Sequence, residues 1–295
     1  MKIYDCTTFF DEKMMMDVRF NILDKYVNKF IVIESVYSHS GIKKKLNFNI
    51  NEYPKFKNKI EYIVIDNQPH DLYSEEKIKQ NPIYKRLNSI KRIEQSYDYM
   101  SKGIQNADEN DLIMLSDNDE IPNLERFNFN TVKNNFLIFN QLFFYYRFNL
   151  LYDKLIWPGT KACKKKKLSS FSNLRNLKNK RYPIWRIDTY FSKIKQIDLK
   201  IIDNGGWHFT NLKTPEDLFN KLNNFGHHDE FELTNLTINK LKEKIKNKEV
   251  FYDHFADKKT KSKWNSDYKL KKIDDNLLPQ YLIHNKIKFK DWFEK

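Results

Sequence analysis

Ser116, Asp117, Asp119 and Glu120 stand directly behind the apolar run Leu112-Ile113-Met114-Leu115. Two carboxylates two residues apart in a tight bend can both reach a hard divalent cation, one directly and one through water. The cation then neutralises the two phosphates of a sugar nucleotide and stabilises a departing diphosphate. Asp-rich turns also arise as plain polar strand ends that cap helices and fix turns. The position of Asp117-Asn118-Asp119 behind a run with the marks of a sheet interior favours the metal reading.

The secondary structure around this triplet follows from two alternating periods, the signature of a largely parallel sheet with crossover helices. Ile3-Tyr4-Asp5-Cys6, Phe30-Ile31-Val32-Ile33 and Ile60-Glu61-Tyr62-Ile63-Val64-Ile65 are strand candidates, the second a run of the kind buried on both faces. Met15, Val18, Ile22 and Tyr26 form one helical stripe, and Ile83, Leu87, Ile90, Tyr97, Met100 and Ile104 another. Acidic residues end three strands, at Glu34, Asp66 and Asp117, where an open α/β sheet binds its ligands. Phe136 to Leu151 reads as one aromatic strand or two, and Ile197 to Ile202 as another that leads into Asp203-Asn204-Gly205-Gly206-Trp207-His208-Phe209. Thr214-Pro215-Glu216-Asp217 opens a helix, a second helix runs through Leu236, Leu241 and Ile245, and the tail from Leu278 to Phe293 reads as extended and aromatic.

A chain of 295 residues with 40% hydrophobic content, 23 Phe and 17 Tyr buries a proper core, so wholesale disorder is excluded. Two cysteines, Cys6 and Cys163, are too few for a disulfide framework and match no zinc pattern, which points to a reducing compartment. Neither an apolar leader nor a stretch of about eighteen apolar residues is present, so the expectation is a soluble, cytoplasmic protein that touches a membrane at most from outside. The formal charge of +14 attracts phosphates, nucleic acid or anionic membrane surfaces, or merely reflects solvated lysines. It is densest from Lys161 to Arg181, which reads as a mobile basic loop. A basic, aromatic-rich single-stranded nucleic-acid binder is one alternative, but no binding module appears. A metal-dependent phosphohydrolase is another, which asks for more metal-ligating His and Asp blocks than the chain holds.

Asp117-Asn118-Asp119-Glu120-Ile121-Pro122 resembles the Asp-x-Asp-Glu-Ile-Pro motif of glycosyltransferase family 17, the β-1,4-mannosyl-glycoprotein N-acetylglucosaminyltransferases. Three further blocks agree in order: Ile3-Tyr4-Asp5-Cys6 with Phe9, Phe10 and Glu12; Phe30 to Ser35 with Ser40-Gly41 and Lys43-Lys44-Lys45; and Gly205 to Phe209 with Lys221 and His227. The resemblance implies an α/β, GT-A-like (Rossmann-like), mostly parallel sheet flanked by helices, with a helical C-terminal part. One domain would comprise a nucleotide-binding half (about 1–125), an acceptor-side half (about 126–250) and an extension (251–295). It implies inverting transfer of a sugar, with N-acetylglucosamine as the guess, from a UDP-sugar to a glycan acceptor with Mn²⁺ or Mg²⁺. Asp117 and Asp119 would carry the metal and diphosphate, while Glu34, Thr7 and Phe9 would face the nucleoside. In the preceding helix Ser96 and Tyr97 stand where the family has a Gln-Arg pair, so that helix departs from the family's pattern.

His208 follows two glycines and a tryptophan, and its imidazole suits either a third metal ligand or a general base. Asp203, Glu216, His227 and Glu230 are the other candidates to take the acceptor's proton, and the sequence does not choose among them. Trp157 and Trp207 can stack on sugars or fill the core. Arg175, in the basic stretch, can close over the diphosphate or lie in a solvated linker.

Overall fold

Four apolar runs become parallel strands: β1 (Ile3–Thr8), β2 (Lys29–Ser35), β3 (Ile60–Ile65) and β4 (Leu112–Leu115), in the order β3-β2-β1-β4. The computed structural model describes residues 1–125, 127, 129, 132–224, 231, 234, 236–254, 264 and 266–295. β1, β2 and β4 are mostly buried because both faces of the sheet are covered there, whereas the edge strand β3 is only partly buried. Ile3, Phe30, Val32, Leu112 and Met114 face α1 (Lys13–Leu23), whereas Tyr4, Cys6, Ile31, Ile33, Ile113 and Leu115 face α3 (Ile83–Gly103), which follows the short α2 (Glu75–Gln80). Cys6 and Cys163 are buried free thiols.

Beyond β4 the sheet is mixed. The aromatic run Phe136 to Leu151 forms one strand, β6 (Phe136–Tyr145), and supplies only the first two residues of the next, β7 (Leu150–Lys164), which enters antiparallel between β4 and β6. The four residues between β6 and β7 permit only a hairpin, since a parallel return needs a crossover of a dozen residues or more. Strands β8 (Leu199–Ile202) and β9 (Gly206–Thr210) then pair parallel to β6. The outermost strand, β5 (Glu120–Pro122), follows β4 in the chain yet pairs antiparallel with β9, so the sheet curls back on itself around the acidic triplet. The two-residue β10 (Lys271–Lys272) pairs with β7.

The stretch from Lys161 to Arg181 is ordered rather than the mobile loop its charge suggested. Lys161 to Lys164 complete β7, and α4 (Phe171–Arg175) packs Phe171 and Leu174 beneath the sheet with Leu177. The Lys161 ammonium is buried and donates to the backbone carbonyls of Arg175 and Leu177, the latter at 2.9 Å. In the second half, α5 (Pro215–Asn224) begins as expected, with the Asp217 N–H donating to Thr214 Oγ1 at 3.2 Å, and α6 (Ile238–Lys246) packs beside it. The tail from Leu278 to Phe293 is not extended, and the helical character expected of the C-terminal part is slight. Past α6 the described residues hold one five-residue helix, α7 (Gln280–His284), and 3-10 turns, because Leu278, Leu282, Phe289 and Phe293 dock singly on the α1 face of the sheet. Among the described residues no helix is long and apolar enough to cross a membrane.

Candidate active site

The triplet is held by a buried brace. Arg19, on the buried side of α1, pairs with Asp5 of β1 through Nε–Oδ2 at 2.7 Å and Nη2–Oδ1 at 2.5 Å. Its Nη1 donates to the backbone carbonyls of Glu120 at 2.8 Å and Asp117 at 3.3 Å. From the β7 side, Thr160 Oγ1 donates to the Glu120 carbonyl at 3.2 Å and lies 2.8 Å from Ser116 Oγ. The Glu120 carboxylate is fully buried and accepts from Trp157 Nε1 at 2.7 Å, from the Asp117 N–H at 3.0 Å and from Arg175 Nη1 at 3.1 Å. Glu120 is thereby committed to shaping the bend.

Register places His208 opposite Glu120 in the β5–β9 ladder, so its ring arrives beside the triplet. Gly206 permits this approach: at φ +143° a Cβ there would lie 2.2 Å from the Ile121 carbonyl oxygen. His208 Nε2 lies 3.4 Å from Asp119 Oδ1, and the Phe209 N–H donates to the Asp119 carbonyl at 2.9 Å. The imidazole stacks on Phe143 at 4.7 Å and leans on Trp157 at 4.9 Å. Its Nδ1 is buried without a hydrogen-bond partner among the described residues, so packing holds the ring. Burial opposes charge on Asp119, but His208 beside it, Lys221 and the local backbone together outweigh that and hold the carboxyl at about 2.

Asp117 points the other way. Its Oδ2 meets Arg175 Nη2 at 2.6 Å, and about half of its side chain is exposed to the cavity. Burial disfavours the Arg175 cation, but Asp117 and Glu120 raise its pKa well above the ordinary guanidinium value. Among the described residues no three His, Cys, Asp or Glu side chains form a ready metal cluster. Asp117, Asp119 and His208 therefore divide into a carboxylate–imidazole pair and a carboxylate–guanidinium pair. The donor chemistry still suits a divalent ion. Adjacent ligands at about 2.1 Å from one cation stand about 3 Å apart, close to the Asp119–His208 spacing of 3.4 Å.

Asp117, Asp119 and Arg175 line a cavity of about 690 Å³ beyond the carboxyl ends of β1 and β2, closed by α3, α4 and the end of α5, and His208 is buried behind Asp119. Phe9, Asp117, Asp119 and Arg175 reach it, together with Lys221 and Asn224. Thr7 is buried behind the lining, where its neighbour Thr8 takes the place expected of it. Glu34 does not face the cavity. Its buried carboxylate accepts from the Asn47 N–H at 2.8 Å, the Phe48 N–H at 3.0 Å and Tyr62 Oη at 2.8 Å, and is salt-bridged by Lys44. Nor do two of the base candidates reach it: Asp203 accepts from Asn140 Nδ2 at 3.0 Å, and Glu216 pairs with Lys242 at 2.7 Å. His227 and Glu230 lie outside the described residues. Trp207 is core, donating from Nε1 to the Leu277 carbonyl at 2.7 Å.

Sequence reasoning missed four residues at three places. Glu12 lines the cavity and accepts from Asn118 Nδ2 at 2.7 Å, which turns Asn118 away from the two aspartates. Arg86 and Arg92 add cationic groups from α3, on the wall that Ser96 and Tyr97 complete. The third, Arg19, had a signal available: an arginine among the apolar residues of one helix and an aspartate inside an apolar strand each demand a partner.

The sequence matches the family model of glycosyltransferase family 17 over residues 1–293. A search of curated proteins returns no match. Among solved structures, similarity is found to a Bacillus anthracis protein named as a glucose-1-phosphate thymidylyltransferase, in complex with sucrose. It is 13% identical, with a TM-score of 0.35 over 70% of this chain and 87% of that one. The inositol-1-phosphate CTP transferase of T. maritima is likewise 13% identical, with a TM-score of 0.32 over 76% of this chain and 96% of that one.

Proposed function

Because the chain belongs to glycosyltransferase family 17, we propose that it is an inverting, metal-dependent enzyme whose cavity takes a UDP-sugar, UDP-N-acetylglucosamine first among them, for transfer to a glycan acceptor. The observation that carries this reading is Asp119 and the Arg175 guanidinium on one cavity, with His208 buried behind Asp119 at 3.4 Å. A diphosphate carried by a divalent ion needs that combination: anionic and imidazole donors for the metal, and a forked cation for the phosphate oxygens.

Asp119 and His208 would hold the ion, Mn²⁺ or Mg²⁺, with Asp117 as the neighbouring second carboxylate. When bound, the ion supplies charge compensation for the departing diphosphate. Arg175 exchanges Asp117 for a phosphate oxygen, and the nucleoside lies against Phe9 and Thr8. The acceptor hydroxyl attacks the anomeric carbon from the face opposite the diphosphate and gives its proton to a base. The C1–O bond to the diphosphate breaks, and its electron pair leaves with the phosphate. His227, three residues past the cavity-lining Asn224 in the chain, is the base we put to the test. His227→Ala should lower kcat by about 10² to 10⁴ while leaving UDP binding intact.

A thermal-shift panel of nucleoside diphosphates with and without Mn²⁺ tests the donor site. Stabilisation by UDP plus metal, lost in Asp119→Ala, supports it. Stabilisation by single-stranded DNA and by no diphosphate would replace it with a nucleic-acid-binding function.

A further inference from the structure

The segment that follows Arg175 forms a closed knob whose tip is apolar and whose flanks are basic. Its ends meet where the Lys178 N–H donates to the Ile194 carbonyl at 2.8 Å. Between them, Ile184, Trp185, Ile187, Tyr190 and Phe191 are each at least 65% exposed. Other exposed large apolar residues, such as Ile42, Ile156 and Ile287, occur singly along the chain and need no explanation. Five within eight positions do, because soluble proteins rarely leave such a patch uncovered without a binding role.

The tip is built, not frayed. The Arg186, Thr189 and Tyr190 N–H groups donate to the carbonyls of Pro183, Arg186 and Ile187 at 3.1 Å each. Tyr190 Oη donates to the Ile184 carbonyl at 3.1 Å, and the buried Thr189 Oγ1 donates to the Arg186 carbonyl at 2.6 Å. Backbone satisfied internally is what a segment needs before it can leave water. Around the tip stand Lys178, Lys180, Arg181, Arg186, Lys193 and Lys195, six cations against the single carboxylate of Asp188. That carboxylate is already paired with Arg186 at 2.6 Å and Lys195 at 2.7 Å.

From this arrangement we propose that the knob 182–191 docks the protein on an anionic lipid surface, its apolar tip entering the headgroup boundary and its cations meeting lipid phosphates and carboxylates. Trp and Tyr beside aliphatic residues and Lys/Arg are the composition of interfacial anchors, which sink about 5–10 Å. Single-stranded nucleic acid accounts for the aromatics and cations but has no use for Ile184 and Ile187, since bases stack on rings. A second copy would oppose the same cations to one another. The proposal rests on the knob alone and is independent of the donor chemistry.

Flotation of the full chain with vesicles tests it. The wild type should float with phosphatidylcholine vesicles containing about 30 mol % phosphatidylserine, be released by high salt, and not float with phosphatidylcholine alone. Trp185→Ser/Phe191→Ser should lower partitioning by about tenfold or more with an unchanged Tm, since both side chains are exposed. Absence of flotation at low salt overturns the proposal. So does undiminished flotation of the double variant, which would assign binding to diffuse surface lysines. An oligonucleotide shift or a dimer that depends on the tip, without flotation, overturns it in favour of that other occupant.

Discussion

Arg19 and Asp5 form an ion pair with almost no solvent exposure, and Nη1 of the guanidinium, not used in that pair, donates to the backbone carbonyl of Glu120 at 2.8 Å. The pair therefore ties the first strand and first helix to the bend that carries the acidic triplet. Removing one partner leaves an uncompensated buried charge, so Arg19→Met should destabilise by about 3–5 kcal/mol. Asp5→Leu/Arg19→Met replaces the pair by apolar volume and should recover most of that loss. Activity should not return with stability, because the Asp117 and Glu120 carbonyls lose their donor and the bend loosens. Urea unfolding and kcat/KM on the three proteins separate the two effects; full activity in the stable double variant would show that the brace does not serve the site.

Arg175 is divided between Asp117 and Glu120, through different nitrogens of one guanidinium. Lysine keeps the charge and loses the fork. Arg175→Lys should fold with a Tm near wild type but bind UDP and Mn²⁺ about ten- to a hundredfold more weakly, the equivalent of about 1.5–3 kcal/mol for a charge-assisted hydrogen bond. Arg175→Ala should also lose stability, because the Glu120 carboxylate is buried. Calorimetric titration of UDP checks the first claim, and unchanged affinity in the lysine variant would remove Arg175 from the diphosphate site.

What the chain made legible were the features encoded by neighbours. Strands β1, β2 and β4 are runs buried on both faces, and the Thr214 cap sits one residue before its helix, so local pattern was enough. The triplet stood out because carboxylates behind a buried run are chemically conspicuous. Features set by long-range pairing were hidden. Whether Arg175 lies in a loose loop or against Asp117 depends on Lys161 binding the Arg175 carbonyl and on Leu174 and Leu177 entering the core. Glu34 ends its strand like a ligand-facing carboxylate, but the turn at Asn47 and Phe48, a dozen residues on, supplies N–H donors that consume it. The antiparallel entry of β7 likewise follows from a short hairpin between β6 and β7, inside a run that read equally well as one strand or two.

His254 sits among Phe143, Tyr145, Tyr152 and Tyr252, and burial, assisted by the nearby His208 and opposed by Asp253, lowers its pKa to about 4 from 6.5. Between those values the unfolded chain binds the proton that the folded chain refuses, so stability falls as pH drops from 6.5 towards 4. A shift of that size corresponds to about 3 kcal/mol. His254→Phe should remove this acid limb while leaving stability above neutral pH within about 1.5 kcal/mol of wild type. Denaturation series at pH 7, 5.5 and about 4.5 check it; parallel pH dependence in both proteins would mean that some other group sets the acid limit.

Gly206 decides how near His208 comes to Asp119. Its φ of +143° belongs to a region that L side chains rarely adopt, and an added Cβ would lie 2.2 Å from the Ile121 carbonyl and 2.8 Å from Pro122 Cα. Both obstacles are backbone atoms of β5, so no side-chain rotation relieves the clash; β9 must move away from β5. The ladder pairs Glu120 with His208, and that displacement carries the imidazole off the carboxylate that it now meets at 3.4 Å. Gly206→Ala should accordingly lose about 1–3 kcal/mol from backbone strain, more if the ladder opens. It should also weaken the stabilisation by Mn²⁺ and UDP beyond what the lost stability explains. His208→Ala at wild-type stability gives the reference for losing the imidazole alone. If Gly206→Ala keeps the full metal-dependent shift while His208→Ala abolishes it, the β5–β9 approach does not govern the ligand pair; matched losses mean that it does.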